Sequence, residues 1–244
     1  MFFDQLFKLS IASRSQVASW LPMSSSVKTN QRRQDILAAT RRVLRERGLH
    51  GIRVREVAAA AGMSPGSVIY HYRTTDDLLL AVHEDTQMKY LAIRTDSVRT
   101  GPGNSWDRLI ASFKVGLPPY ADGELIELLY EMHGLTRRSP RHAVLLTELW
   151  QAELELVVEV IKSGMVDGTF RVPDCRAAAR ALLALEDGLA LHLVSDNEAM
   201  ESSTALSTFI AAAAALLGVS DQEHHDQERT NAFGAHPILL KEEQ

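Results

Sequence analysis

The chain is nearly free of cysteine: Cys175 is the single one among 244 residues. This excludes an internal disulfide framework, and Cys175 has no companions at metal-ligand spacing. No apolar run reaches the roughly 18 residues of a spanning helix, so no membrane span is expected. No secretory signal is expected either. Asp4 and Lys8 interrupt the apolar start, and no long apolar core follows them. Period-two alternation is scarce, which argues against a sheet, and no repeat of roughly 20 to 50 residues is visible. Enzyme motifs are absent too: there is no nucleophile elbow with its His and Asp, and no phosphate loop. What is present is a hydrophobic fraction of 45% without low-complexity bias, in keeping with a soluble globular protein of one large or two smaller domains.

Charge is unevenly spread. The net charge is -5 overall, but residues 28–73 carry a net +7 and residues 74–244 a net -13. A basic head on an acidic body suits a protein that docks one end on phosphates.

The basic segment contains Val54-Arg55-Glu56-Val57-Ala58-Ala59-Ala60-Ala61-Gly62-Met63-Ser64-Pro65-Gly66-Ser67-Val68-Ile69-Tyr70-His71-Tyr72. It reads as a helix, a Gly turn, a capped second helix and an aromatic cluster. Val54, Val57, Ala58 and Ala61 share an apolar face. Gly62 can adopt the left-handed conformation that ends a helix. Ser64 suits an N-cap and Pro65 the first helical position. This is the sequence form of a helix-turn-helix, whose second helix enters the DNA major groove. Pro65 to His71 is the predicted recognition helix. Gly66 permits close backbone approach, and Ser67 can reach a base edge or a phosphate. Tyr70 and His71 can hydrogen-bond phosphates, while Arg53, Arg55 and Arg73 are candidate phosphate contacts. Ser64 is read mainly as a cap and Tyr72 mainly as core. Arg32, Arg33, Arg41, Arg42, Arg45 and Arg47 read as a solvated helix face.

Over Gln31 to Leu79 the segment resembles the DNA-binding domain of the TetR family of bacterial transcription regulators. The family pattern runs Thr-Val-Arg-Asp-Ile-Ala, then Ala-Gly-Val-Ser-x-Gly-x-Leu-Tyr-x-His-Phe-x-x-Lys-x-x-Leu. Here it spans Arg53 to Leu78, with Arg53 in place of the capping Thr, Ile69 in place of the first Tyr and Thr75 in place of the Lys. Arg53 and Arg73 can supply the charge those changes remove. The resemblance implies an all-α fold, with an N-terminal three-helix DNA-binding domain and a C-terminal helical ligand-binding and dimerisation domain. It also implies a cytoplasmic, nucleoid-associated bacterial protein that binds a palindromic double-stranded DNA operator, more readily a repressor than an activator.

The expected organisation is an N-terminal extension over 1–27, the DNA-binding domain over 28–75, the body over 76–218 and a polar tail over 219–244. Phe2, Phe3, Leu6, Phe7 and Ile11 can line one face of a short helix. The extension otherwise reads as mobile, or as sequence ahead of a start at Met23; an arm on DNA or a membrane surface is the alternative. Helix 1 is predicted from Asn30, as cap, to Arg47, with Gly48 ending it and Thr40 on its apolar face. Thr74 or Thr75 caps the next helix. Further helices are predicted at about 105–117, 122–136, 140–164, 174–195 and 203–217, punctuated by Gly and Pro.

The body should hold a pocket for a small-molecule effector, apolar or amphipathic. Candidate lining residues are Trp106, Phe113, Tyr120, Tyr130, Met132, His133, Trp150 and Glu153, although for any one of them ordinary core packing is the stronger reading. Leu185 to His192 places Glu186, Asp187 and His192 in an otherwise apolar helix, so Asp187 and His192 are candidates for a pocket or a dimer seam. The last two helices are apolar on more than one face, which favours burial in a homodimer. No cofactor or metal is expected. His224-His225-Asp226 reads as solvated tail. Two alternatives stay open: a small-molecule binding protein with a vestigial DNA head, and an enzyme using Glu186, Asp187 or His192.

Overall fold

The structure is a computed structural model that describes residues 23–120 and 123–219. Among these residues there are α-helices and no strands. The expected apolar face of residues 2–11 and the polar tail with His224 and His225 lie outside the described residues. The chain forms two compact units, Met1–Val82 and His83–Gln244.

In the first unit, α1 covers Met23–Gly51, α2 Val54–Ala60 and α3 Pro65–His71. Helix α1 begins well before Asn30, which is therefore an exposed internal position and not its cap. Its regular course breaks at Gly48, with φ 64° and ψ 178°. A side chain would be strained at that φ. Ile36, Leu37, Val43 and Leu44 are buried, as is Thr40, whose hydroxyl donates to Ile36 O at 2.7 Å. Val57 and Ala58 of α2, Val68 of α3, and Tyr72 and Leu78 are buried as well, and α2 packs against both α1 and α3. Two arginines of α1 stay exposed, as a solvated face requires, while also reaching α2: Arg42 donates to Ala60 O, and Arg47 pairs with Glu56.

Helix α4, Thr75–Thr100, begins in the first unit. Thr74 starts it: Thr74 Oγ1 accepts Asp77 N–H at 3.0 Å and donates to Asp77 Oδ2 at 2.8 Å. The second unit takes α4 from His83 onward, then α5 Ser105–Lys114, α6 Gly123–Thr136, α7 Pro140–Val166, α8 Cys175–Val194 and α9 Ser202–Leu217. Side-chain caps set several starts. Asn104 and Asp107 form a reciprocal capping box, and Asp174 Oδ1 accepts the N–H groups of Arg176 and Ala177. Helix α7 packs against α5, α6 and α8, and α9 packs on α8. Trp106, Phe113, Ile161, Phe170, Leu182 and Phe209 form the main core of this unit. A smaller cluster of Tyr90, Val115, Ile126, Leu129 and Leu149 lies under α6 and α7.

Candidate functional site

The first candidate site is the α2–turn–α3 element. Helix α2 ends in paired reverse bonds, Met63 N to Ala58 O at 2.9 Å and Gly62 N to Ala59 O at 3.2 Å, with Gly62 at φ 65°. This double closure reverses the chain within a few residues and requires the left-handed residue that glycine supplies. Ser64 follows as N-cap, its Oγ accepting Ser67 N–H at 3.2 Å, with Pro65 in the first turn. Capping also occupies Ser67, whose hydroxyl lies 2.9 Å from Ser64 Oγ. Val68 is the residue of α3 that faces the core, while Ile69 and Tyr70 point outward, Tyr70 at 82% exposure. Pro65, Gly66, Arg55 and Arg73 are exposed. Arg53, also exposed, caps α2 by position but not by side chain. Its guanidinium donates to His50 O and Ile52 O, each at 3.0 Å. His71 is half-buried beside Tyr70. Its pKa is lowered, first by burial and then by Arg33 and Arg32, so the ring is neutral at pH 7. Tyr72 is core, with the Arg33 guanidinium 5.6 Å from its ring centre.

The second candidate site lies in the body and is built around Arg94, which is 0% exposed. Its Nη1 donates to Glu153 Oε1 at 2.7 Å and to Tyr90 Oη at 2.6 Å, and its Nη2 to Glu186 Oε2 at 2.8 Å. Its Nε reaches Ser112 Oγ at 3.1 Å, and Phe113 places its ring centre 4.8 Å from the guanidinium carbon. A buried charge needs this degree of pairing, because desolvation otherwise costs several kcal/mol per ion, on the order of the folding stability. Burial pushes the Glu186 carboxyl up to about 8 against the pull of Arg94, with repulsion from Glu153 adding to the rise. Burial also raises Glu153, which is opposed by Arg94 and by the Tyr90 hydroxyl.

Next to this cluster is a cavity of about 50 Å³. Tyr90, Tyr130, Trp150, His133, Glu153, Glu186 and Asp187 supply its chemistry, and Ile126, Leu129, Leu146 and Leu149 its apolar wall. Gly116 completes the lining. A methyl group there would sit 1.9 Å from Glu186 Oε1, so only glycine lets the carboxylate lie against the backbone. Tyr130 donates to Asp187 O at 3.1 Å and Asp187 Oδ1 at 3.4 Å, joining α6 to α8.

Of the residues predicted for the body, the cavity brings together Tyr130, His133, Trp150, Glu153 and Asp187. Trp106, Phe113 and Met132 are instead buried outside its lining, in helix–helix packing. Tyr120 is 42% exposed and apart from the lining. His192 is exposed and contacts the Asn197 side chain at 3.0 Å, so it joins neither the cavity nor Asp187. The buried acid of that run is Glu186, at 3% exposure, while Asp187 is exposed.

Sequence reasoning missed Arg94, Tyr90 and a third feature, the buried pair His83 and His142. Their Nδ1 atoms lie 2.9 Å apart, the rings stack at 5.2 Å, and Gln87 contacts His83 Nε2 at 3.1 Å. Burial first, and His142 second, push His83 down to about 4. One signal was available: Tyr90 and Arg94, like His83 and Gln87, are one turn apart in α4, each placing polar groups on one helix face.

The face of α8 carries exposed small and apolar residues at helical spacing: Ala177, Ala181, Ala184, Gly188 and Leu191. Helix α9 exposes Ala211, Ala212, Ala215 and Leu216.

The chain matches the model for bacterial regulatory proteins of the tetR family over residues 36–82, and the model for the C-terminal part of BetI-type transcriptional repressors over residues 108–218. The HTH-type transcriptional repressor AcnR of Corynebacterium diphtheriae is 34% identical over 62 residues, 25% of this chain and 33% of the relative. That match thus spans about a third of AcnR's length. Among solved structures, a TetR-family regulator from Rhodococcus sp. superposes with a TM-score of 0.64 at 24% identity, covering 77% of this chain and 99% of the other. A transcriptional regulator from Saccharomonospora viridis in complex with choline gives a TM-score of 0.68 at 20% identity, covering 74% and 94%.

Proposed function

This chain belongs to the TetR family of bacterial transcription regulators, and from that premise we propose that it is a homodimeric repressor that binds a palindromic operator and responds to a small molecule. The observation that carries the reading is the α2–turn–α3 element: its inner face is locked by caps and core, and its outer face presents Tyr70, Ile69, Gly66, Arg55 and Arg73. Phosphate contacts from Arg55, Arg73 and Tyr70 hold the helix in register. Ile69 offers apolar surface suited to a thymine methyl, so its replacement of the family's Tyr alters what is read. The exposed stripes on α8 and α9 suit helix packing against a second copy, and two-fold symmetry then presents two copies of α3 about one DNA turn apart. The effector site of this reading is the Glu153–Tyr130–Trp150 cavity. A ligand shifts DNA affinity there only as far as it binds one conformation of the dimer more tightly than the other. The choline in the Saccharomonospora regulator lends support to a small-molecule site in a helical body of this kind.

The test is binding to the duplex upstream of the chain's own gene against a scrambled duplex, over a salt series. Preferential binding is expected, with log K falling by about 0.9 per neutralised phosphate for each tenfold rise in salt. A Tyr70→Ala, Arg55→Ala double variant should lose the preference. Weak, equal binding of both duplexes, repeated with selected genomic fragments, favours the alternative of a ligand-binding protein with a vestigial head.

A further inference from the structure

We propose that Arg32 and Arg33 of α1 and His71 of α3 form one phosphate-binding site, and that DNA fills it together with a proton that His71 takes up. The inference rests on the regulator reading above and adds a site and a pH dependence to its DNA contacts.

The first argument is placement. His71 closes α3, and its half-buried ring stands edge-on to Tyr70, with ring centres 5.2 Å apart and planes at 82°. Tyr70 is exposed, so this side of the recognition helix faces outward. Arg33 reaches the same end of α3: its guanidinium carbon lies 5.6 Å from the ring centre of Tyr72, the residue after His71. Arg32 precedes it on α1, and both arginines are exposed. Two cations from a helix distant in sequence therefore stand beside the last residue of the recognition helix.

The second argument is the state of these groups. Among the described residues no carboxylate pairs with Arg32 or Arg33, and no hydrogen bond occupies the His71 ring. Asp35, the one acid in the first half of α1, takes a hydrogen bond from Gln31 at 2.9 Å. Asp76 and Asp77 begin α4, and Asp77 is bonded to Thr74. Tyr70, Tyr72 and Arg73 are the other ionisable groups beside His71 in the chain. Such a positive patch suits an anion, and a DNA phosphate is the anion that a recognition helix meets.

The third argument is linkage. Burial, then Arg33, then Arg32 hold the His71 pKa below its usual value of 6.5, so the free protein keeps the ring neutral at pH 7. A phosphate bound to the arginines cancels their push, and its own charge favours the imidazolium. The His71 pKa then rises on binding, and the bound state holds more protons than the free one. Affinity for DNA accordingly increases as pH falls through the window between the free and bound values, and it is level outside that window. A two-fold dimer carries the site twice, so uptake approaches about two protons per operator.

The test is binding of the full chain to its best-binding genomic duplex between pH 8 and pH 6 at constant ionic strength, with calorimetry at pH 7 in two buffers of different ionisation enthalpy. Affinity should increase by about tenfold or more over that range, and the buffer dependence of the heat should report net proton uptake. His71→Gln should flatten the pH profile and remove the uptake. Arg32→Gln with Arg33→Gln should lower the salt slope of log K by about 0.9 per site and reduce the uptake. Histidine NMR of the unsubstituted chain keeps the test valid if His71→Gln does not fold: the His71 resonance should titrate below the usual histidine range alone and above its free value with the duplex bound. Specific binding without proton uptake, uptake that persists in folded His71→Gln, or a His71 titration unmoved by the duplex would overturn the inference and leave the regulator reading standing. Failure to prefer any duplex would defeat the regulator reading, and this inference with it.

Discussion

Replacing Arg94 by Met should be among the most damaging single changes in the body. Met is similar in length and apolar, so the hole left is small and the effect is electrostatic. Arg94 gives hydrogen bonds to Glu153, Glu186, Tyr90 and Ser112 with none of its own surface exposed. Removing it leaves two carboxylates, at 8% and 3% exposure, facing each other without a cation. Breaking a buried pair by deleting one partner costs about 3–5 kcal/mol. The two acids will escape part of this by holding protons. Their folded pKa values then lie further above the unfolded value, so the folded state binds more protons than the unfolded one. Stability falls as pH rises in that case. The loss in Arg94→Met should therefore be larger at pH 8 than at pH 5.5, and adding Glu153→Gln and Glu186→Gln should recover much of it. Urea unfolding followed by circular dichroism, at one fixed protein concentration, measures all of this. A loss below about 1 kcal/mol, or one independent of pH, would refute the claim that Arg94 is the counter-ion of a desolvated acidic pair.

His83 supplies the opposite sign. It is neutral in the fold with a pKa near 4, while the unfolded side chain titrates near 6.5. As pH falls through this window the unfolded state takes up the proton first, so stability drops by up to about 3 kcal/mol and then levels off. His83→Gln should flatten that part of the stability profile, as read from melting temperature against pH. Gly164→Ala should destabilise by about 1–3 kcal/mol despite the better helix former, because the new methyl would lie 2.0 Å from Phe170 Cδ2 in the core; calorimetry reads this as a lower melting temperature. Leu191→Glu on the exposed α8 stripe should shift the sedimentation coefficient from dimer to monomer while leaving the helical content unchanged.

Local chemistry made the element boundaries readable. Gly62 and Ser64-Pro65 each act within a few residues of themselves, and each sits in the structure at the helix end its type suggests. Asn30 was misleading because a good capping residue inside a polar stretch does not stop a helix from beginning earlier. The body cavity was half readable. Tyr130, His133, Trp150 and Glu153 stand out as polar or aromatic groups on apolar helices, yet the same pattern marks Trp106 and Phe113, which packing consumed. For Arg94 the one local signal is Tyr90 a turn away on the same face of α4, which does not by itself separate a buried arginine from a solvated one, because the acidic partners are 59 and 92 residues away. Arg42 and Arg47 are exposed, as their pattern suggests, and only their partners in the following helix could not be read.

The most direct measurement is a hydroxyl-radical footprint of the purified protein on its best-binding genomic fragment. The account predicts two protected patches related by a two-fold axis, with centres about 10 base pairs or a whole multiple of a helical turn apart, both lost with Tyr70→Ala plus Arg55→Ala. A single patch, or no protection above that on scrambled duplex, would contradict it.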